Sequence, residues 1–187
     1  MIFNFENPSR QTQPFEYFLL YDVVADFVFK RIQSEAQTYP YYMIEQTRTS
    51  NPNRIWLNRT SGWLSAIAHE FDNDEVKRQI GYVVGKPLVG ARTRAELCMD
   101  SVGSWLEPHS DDAAKLLTLQ LFLDGQGWST AMGAETHSQV QTMPNRAWLF
   151  YNGDQPVHKL PRLKHNRASI IINYVIEDEW KDKSVLV

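Results

Sequence analysis

The sequence predicts an α+β protein: helices come first, strands follow, and a jelly-roll or sandwich is braced by the helices. Two observations carry this. Between about residues 22 and 85, three stretches space their apolar residues as a helix does. Beyond Pro87 the spacing changes to alternation, in short runs separated by Pro, Asn and Gly. No internal repeat, low-complexity stretch or linker rich in Gly and Ser interrupts the chain. The expected organisation is therefore one domain over 1–187, with helical support over about 15–86 and a jelly-roll core over about 90–177.

Each element has its own signal. "FEYFLLYD" (15–22) reads as a short strand, after which Asp22 is placed to cap a helix through about Ala36. The apolar stripe of that helix is Val24, Phe27, Val28 and Ile32. A loop rich in Asn, Arg and Thr follows, from about Thr47 to Ser61. "SGWLSAIAHEF" sets Leu64, Ile67, Ala68 and Phe71 on one side of a second helix. "NDEVKRQIGYVVG" is a third, capped by Asn73 and stopped by Gly85. In "TRAELCMD" (93–100), Ala95, Leu97 and Met99 share one side. "KLLTLQLFLD" (115–124) alternates more sharply: Leu117, Leu119, Leu121 and Leu123 want a core, whereas Leu116, Thr118, Gln120 and Phe122 form the mixed face of a pocket-lining strand. "AETHSQV", "RAWLFYN", "PVHKL" and "RASIIINYVI" complete the strands, with turns at Met143-Pro144-Asn145 and Asn152-Gly153-Asp154.

Composition narrows the partners. An apolar content of 43% and a charged content of 22% describe an ordinary globular chain. A net charge of −3 gives no bulk attraction to nucleic acid or anionic lipid, so neither is an expected partner. No stretch has the length of a membrane span and the opening residues do not read as a secretory signal, so a cytoplasmic location is expected. Cys98 is the sole cysteine, which rules out an internal disulfide or thiolate cluster, and between Leu97 and Met99 it reads as a buried small residue. The glycosylation pattern at Asn58-Arg59-Thr60 is taken as chance.

The chemistry concentrates in "WLEPHSDDAAKLLTLQLFLD" (105–124). His109 and Asp111, two residues apart in an extended segment, project to the same side, as a metal pair would. Asp112, three residues from His109, points away. Among the other histidines, His69-Glu70 lacks the second His of a zinc-protease helix, Asn73 standing in its place. His137 lies in a polar strand without a neighbouring partner, and His165 lies in a loop. His158 sits in a short extended stretch after the Asn-Gly turn. Two imidazoles with one carboxylate suit Fe(II) and leave three coordination positions open. Arg167 opens a strand whose other face is apolar, so it needs an anionic partner, either an acidic neighbour or a bound carboxylate.

In this order, His109-x-Asp111, His158 and Arg167 resemble the iron(II)- and 2-oxoglutarate-dependent oxygenases, in their prolyl-hydroxylase-like branch. "RASIIINYV" looks like the Arg-x-Ser strand of many members, "LLTLQLFLD" like the strand after their metal pair, and "PFEYFLLYDVVADFVFKRI" like their N-terminal strand and helix. The likeness runs over about residues 13–176. It implies a double-stranded β-helix of cupin type, Fe(II) held by His109, Asp111 and His158, and 2-oxoglutarate anchored through its far carboxylate by Arg167. Ser169 and Thr118 would share that carboxylate, and Asn173 would sit deeper on the same face. With O2, such an enzyme hydroxylates an unactivated C–H bond of a small molecule or a peptidyl proline and releases succinate and CO2. Asp111 stands where halogenating relatives have a small residue, which favours hydroxylation.

Two departures bear on the substrate. Met99-Asp100 occupies the place of a tyrosine that many prolyl hydroxylases use on the cosubstrate, and Phe122 replaces another. Arg162 and Lys164 are rival anchors, but both lie in a loop. Residues 39–63 and "DGQGWSTAMG" (124–133) are expected at the cavity mouth, where Arg54, Trp56 and Trp128 either pack or anchor a substrate. The competing readings are a non-catalytic cupin-like binding module and another metal-dependent cupin enzyme such as an isomerase. A nucleic-acid demethylase of the same superfamily is opposed by the net acidity.

Overall fold

A computed structural model describes residues 2–44, 55–125, 128–132, 137–153 and 155–187, with backbone alone for 128–132 and 137. In chain order the strands are β1 (Ser9–Gln11), β2 (Tyr17–Leu20), β3 (Ile55–Trp56), β4 (Arg92–Asp100), β5 (Leu106–His109), β6 (Lys115–Phe122), β7 (Trp128–Met132), β8 (His137–Gln141), β9 (Ala147–Tyr151), β10 (Val157–Leu160) and β11 (Arg167–Val175). The helices are α1 (Asp26–Ala36), α2 (Gly62–Asp72) and α3 (Asp74–Val84). A seven-stranded sheet runs β1-β2-β9-β6-β11-β4-β3, and a four-stranded sheet runs β5-β10-β7-β8. The expected succession of helices and strands is thus found as a mostly β protein with three helices among the described residues.

Alternation builds the large sheet. The even-spaced set Leu117, Leu119 and Leu121 of β6 joins Ala95, Leu97 and Met99 of β4 and Ile170 and Ile172 of β11 in one cluster, which the helices complete with Leu64, Ile67, Phe71 and Ile80. The opposite faces of the same strands carry Thr118, Gln120, Arg94, Glu96, Arg167 and Asn173, and these line a cavity instead. One face is oil and the other is chemistry.

The helices show where local signals suffice. The buried positions of α2 are Leu64, Ile67, Ala68 and Phe71, the four set out by their spacing. Asn73 caps α3 by accepting from the Glu75 N–H at 2.8 Å, and Gly85 ends it at φ 65°. α1 differs. It starts at Asp26, and its preceding residue Ala25 offers no side-chain cap. Asp22 instead sits at φ 50°, in the turn between β2 and the helix. The later start rotates the buried face to Phe29, Ile32 and Ala36. Val24 precedes the helix and bridges to Phe3, and Phe27 is 61% exposed, edge-on to Trp63.

Two polar links fasten the layers. Asn145, at φ 60°, accepts from Val24 N–H at 2.8 Å and donates to Val24 C=O at 2.7 Å, which ties the turn before β9 to the segment leading into α1. Tyr174 on β11 is fully buried and donates its hydroxyl to the Phe71 carbonyl of α2 at 2.9 Å. Burial pushes its phenol well above the usual value, with Asp72 adding to the effect. Tyr174→Phe should therefore destabilise the fold by about 1–2 kcal/mol, through the lost bond and the stranded carbonyl. Denaturant unfolding measures this, and an unchanged midpoint would count against it.

Candidate metal centre

The centre is assembled by strand pairing. His109 ends β5 and His158 lies in β10; they are directly opposed in the antiparallel register, so both rings leave the same face. Their ring centroids are 4.4 Å apart. Asp111 follows His109 by two residues, and ligand atoms of all three lie within 4.8 Å of one another. His109 Nδ1 is 2.8 Å from the Glu107 carbonyl and His158 Nδ1 is 3.3 Å from the Pro156 carbonyl. A carbonyl only accepts, so each Nδ1 carries a proton and Nε2 is the nitrogen left to face a metal.

The charges agree with that role. Burial pushes the His158 imidazole down to about 4, against the pull of Asp111, so it is neutral at physiological pH. Burial alone would raise the Asp111 carboxyl. The Lys115 ammonium, His158 and hydrogen bonds from Lys115 and Thr118 instead hold it well below the usual carboxylate range. A neutral His158 and an ionised Asp111 are the forms in which these groups bind a divalent cation. The aromatic rings of Phe150 and Trp148, 5.0 Å and 5.9 Å from the His158 ring, wall the site on one side.

Asp111 is clamped. Lys115 Nζ donates to Oδ1 at 2.5 Å and Thr118 Oγ1 donates to Oδ2 at 2.7 Å. Thr118 also accepts from Asn152 Nδ2 at 3.0 Å, and Asn173 Oδ1 is placed 3.0 Å from its hydroxyl. A threonine hydroxyl has one proton, already given to Asp111, so the Asn173 contact calls for the reversed amide orientation. Reversal gives Thr118 an N–H donor and removes an otherwise unpartnered buried NH2. Thr118 then gives one bond and takes two, all in the service of one carboxylate.

At the other end of β11, Arg167 is 3% exposed and lines the same cavity. Its partner is Asp100, on the neighbouring strand β4: Nε and Nη2 both donate to Oδ2, at 3.1 Å and 2.5 Å. Asp124 stands close by and accepts from the Ala168 N–H at 2.7 Å. Burial pushes the Asp124 carboxyl up, opposed by the Ala168 N–H and Arg167 and reinforced by Asp100. Ser169 accepts from Gln120 Nε2 at 2.9 Å. Thr118, expected beside Arg167, lies at the metal end, because β6 pairs it with Asn173 and pairs Phe122 with Ser169. A third charged feature, Arg94 with Glu96 at 3.1 Å, is buried in the cavity wall. The Arg94 guanidinium lies 4.6 Å from the Trp56 ring and 5.1 Å from the Trp180 ring. The whole cavity has a volume of about 470 Å³.

The rival residues stand elsewhere. Asp112 accepts from the Ala114 N–H at 2.9 Å and shapes the turn into β6. His69 is exposed on α2, and His165 and Lys164 are exposed in the loop before β11. Arg162 donates to Gly103 C=O at 3.1 Å. Asn58 donates to the carbonyls of Ser184 and Leu186 at 2.9 Å and 3.0 Å. Trp56 packs on Arg94, whereas Arg54 and the side chains of His137 and Trp128 lie outside the described residues. Asp100, Lys115, Arg94 and Glu96 were missed. For β4 the signal was present: charges at 94, 96 and 100 fall opposite Ala95, Leu97 and Met99, on what is a second buried face.

No family model matches the chain, and no curated protein matches it. Solved structures do. A prolyl hydroxylase from Trichoplax adhaerens, in complex with a hypoxia inducible factor peptide fragment, is 15% identical with a TM-score of 0.66, over 87% of this chain and 84% of that one. An oxidoreductase of the 2OG-Fe(II) oxygenase family from Burkholderia pseudomallei is 13% identical with a TM-score of 0.63, over 85% and 84%. The fold is that of the 2OG-Fe(II) oxygenases. Within the 2OG-Fe(II) oxygenase fold, reactions differ: the epimerase SnoN from nogalamycin biosynthesis is 13% identical with a TM-score of 0.59, over 85% of this chain and 77% of that one.

Proposed function

We propose that the chain is a single catalytic unit with a double-stranded β-helix core, an Fe(II)- and 2-oxoglutarate-dependent oxygenase. It hydroxylates an unactivated C–H bond of a small molecule or a peptidyl proline. The observation that carries this is the convergence of His109, Asp111 and His158 donor atoms, with the Asp111 carboxyl held ionised and the buried His158 ring held neutral. Their chemistry fits a ferrous ion: three ligands on one side, a cavity on the other. The solved SnoN complex with Fe3+ and alpha ketoglutarate has the same fold.

Iron, 2-oxoglutarate and O2 together supply oxidative decarboxylation and the oxidation of a C–H bond. The chain supplies placement. His109, Asp111 and His158 would hold the metal, and the Thr118 hydroxyl keeps the Asp111 carboxylate aimed. Arg167 would take the far carboxylate of the cosubstrate while keeping Asp100, since a guanidinium has five donors. Ser169, one alternation on, stands beside that anchor; Asn173 shares its face at the metal end. Phe150 and Trp148 keep water from the His158 side. The buried Arg94–Glu96 wall favours a small polar substrate over an apolar one. A cytoplasmic site of action belongs to the same proposal; among the described residues no helix is long and apolar enough to cross a membrane.

The test is spectroscopic. Under anaerobic conditions, Fe(II) with 2-oxoglutarate should give the weak visible charge-transfer band of a chelated 2-oxo acid, and under air the complex should release succinate. Arg167→Leu should lose the band at 2-oxoglutarate concentrations that saturate the wild type while still binding Mn(II). Metal binding without band or succinate would favour the binding module or another cupin-type enzyme. Succinate release across substrate panels then identifies what is oxidised.

A further inference from the structure

We propose that Lys115 is a positioning residue that sets the charge of the metal centre, weakening the grip on metal ions and favouring the ferrous over the ferric state. This rests on the reading that His109, Asp111 and His158 hold iron.

The geometry behind it is specific. Lys115 opens β6, four residues after Asp111, and its ammonium reaches back to Oδ1 at 2.5 Å. Both side chains are largely buried, at 14% and 10% exposure, so solvent screens this pair little. Orientation of Asp111 does not need it, because Thr118 holds Oδ2 at 2.7 Å and is itself fixed by Asn152. What Lys115 adds beyond Thr118 is a full positive charge, hydrogen-bonded to the one anionic ligand.

An imidazole binds a metal in its neutral form, so in the metal-bound centre the two imidazoles, the Asp111 carboxylate and the Lys115 ammonium sum to zero. Without it they sum to −1. A cation placed there repels any metal ion, and it repels a trivalent ion more than a divalent one. It also draws electron density from the carboxylate, which makes Asp111 a poorer donor to a ferric centre. Both effects have the same sign. The residue should lower divalent affinity and lower ferric affinity further, keeping a resting centre in the ferrous form that 2-oxoglutarate and O2 require.

The experiment compares wild type, Lys115→Met and Lys115→Arg, each checked for folding by thermal melting. Mn(II) affinity is measured by titration calorimetry. The Fe(III)/Fe(II) midpoint of the iron-loaded protein is measured by potentiometric titration without cosubstrate. Lys115→Met should bind Mn(II) about tenfold tighter or more, because a partly buried cation close to the ion is removed. Its midpoint should fall by at least about 59 mV, the equivalent of a tenfold gain in ferric over ferrous affinity. Lys115→Arg restores the charge and should return both values toward wild type. Equal or weaker Mn(II) binding in Lys115→Met, or an unmoved midpoint, overturns the proposal and leaves Lys115 a structural clamp. Wild-type protein that binds neither Mn(II) nor Fe(II) overturns the metal reading itself, a result the variant comparison cannot mimic.

Discussion

Asp111→Ala is expected to abolish stoichiometric binding of Mn(II) or Co(II). The substitution removes the anionic member of a three-residue set whose donors converge within 4.8 Å. It also leaves the Lys115 ammonium, formerly paired at 2.5 Å, pointing into the site without its counter-charge. The local sum changes from zero to +1, so what remains is two imidazoles beside a cation. Loss of an outer partner that orients a ligand commonly costs metal sites 10–100-fold, so losing the ligand itself should exceed about 100-fold. Calorimetric titration checks it, and an affinity within a few-fold of wild type would mean that the ion binds elsewhere. Adding Lys115→Met to Asp111→Ala should recover part of the loss, because it removes the repulsion without restoring the ligand.

The second large effect belongs to the other end of the cavity. Asp100 has no solvent exposure and Arg167 is 3% exposed, and they meet through two donors on one oxygen. Asp100→Ala should destabilise the protein by about 3 kcal/mol or more, because it removes the carboxylate oxygen on which two donors of a buried guanidinium converge. For a chain of this size that is a fall in Tm of roughly 6–12 °C. Removing both charges with residues of similar volume, Asp100→Leu with Arg167→Met, should cost far less than the single change, since the desolvation of both ions disappears together. If the double variant is as unstable as the single one, the pair is not the cause. The double variant should also fail to bind 2-oxoglutarate, which separates the anchor's part in stability from its part in recognition.

Much of this was legible from residue order. The spacing of Leu64, Ile67, Ala68 and Phe71 is met position by position in α2, because a short amphipathic helix with a core to cover has one way to lie. The alternation of β6 separated its core face from its cavity face. Asn73 and Gly85 marked the limits of α3, because capping is a local matter. The α1 boundary was not legible: Asp22 is a good cap by type, but the backbone turns through φ 50° there and the helix waits for Asp26. The sequence also offered an acidic neighbour or a bound carboxylate as the partner of Arg167. Asp100 is that neighbour, and it lies 67 residues away, across a strand pairing that no short-range pattern encodes. Thr118 was assigned to the anchor end for the same reason, since its distance from Arg167 depends on the β6–β11 register. Faces follow from alternation within one strand; ends follow from how two strands are set against each other.

The direct opposition of His109 and His158 across β5 and β10 has a consequence for change over time. Side chains on a strand alternate sides, so one residue inserted or deleted just ahead of His158 would turn its ring to the far surface of the small sheet. The chain can vary the length of the stretch between β9 and β10 only if β10 keeps its phase against β5. That connection between the two sheets should accept substitutions far more readily than indels.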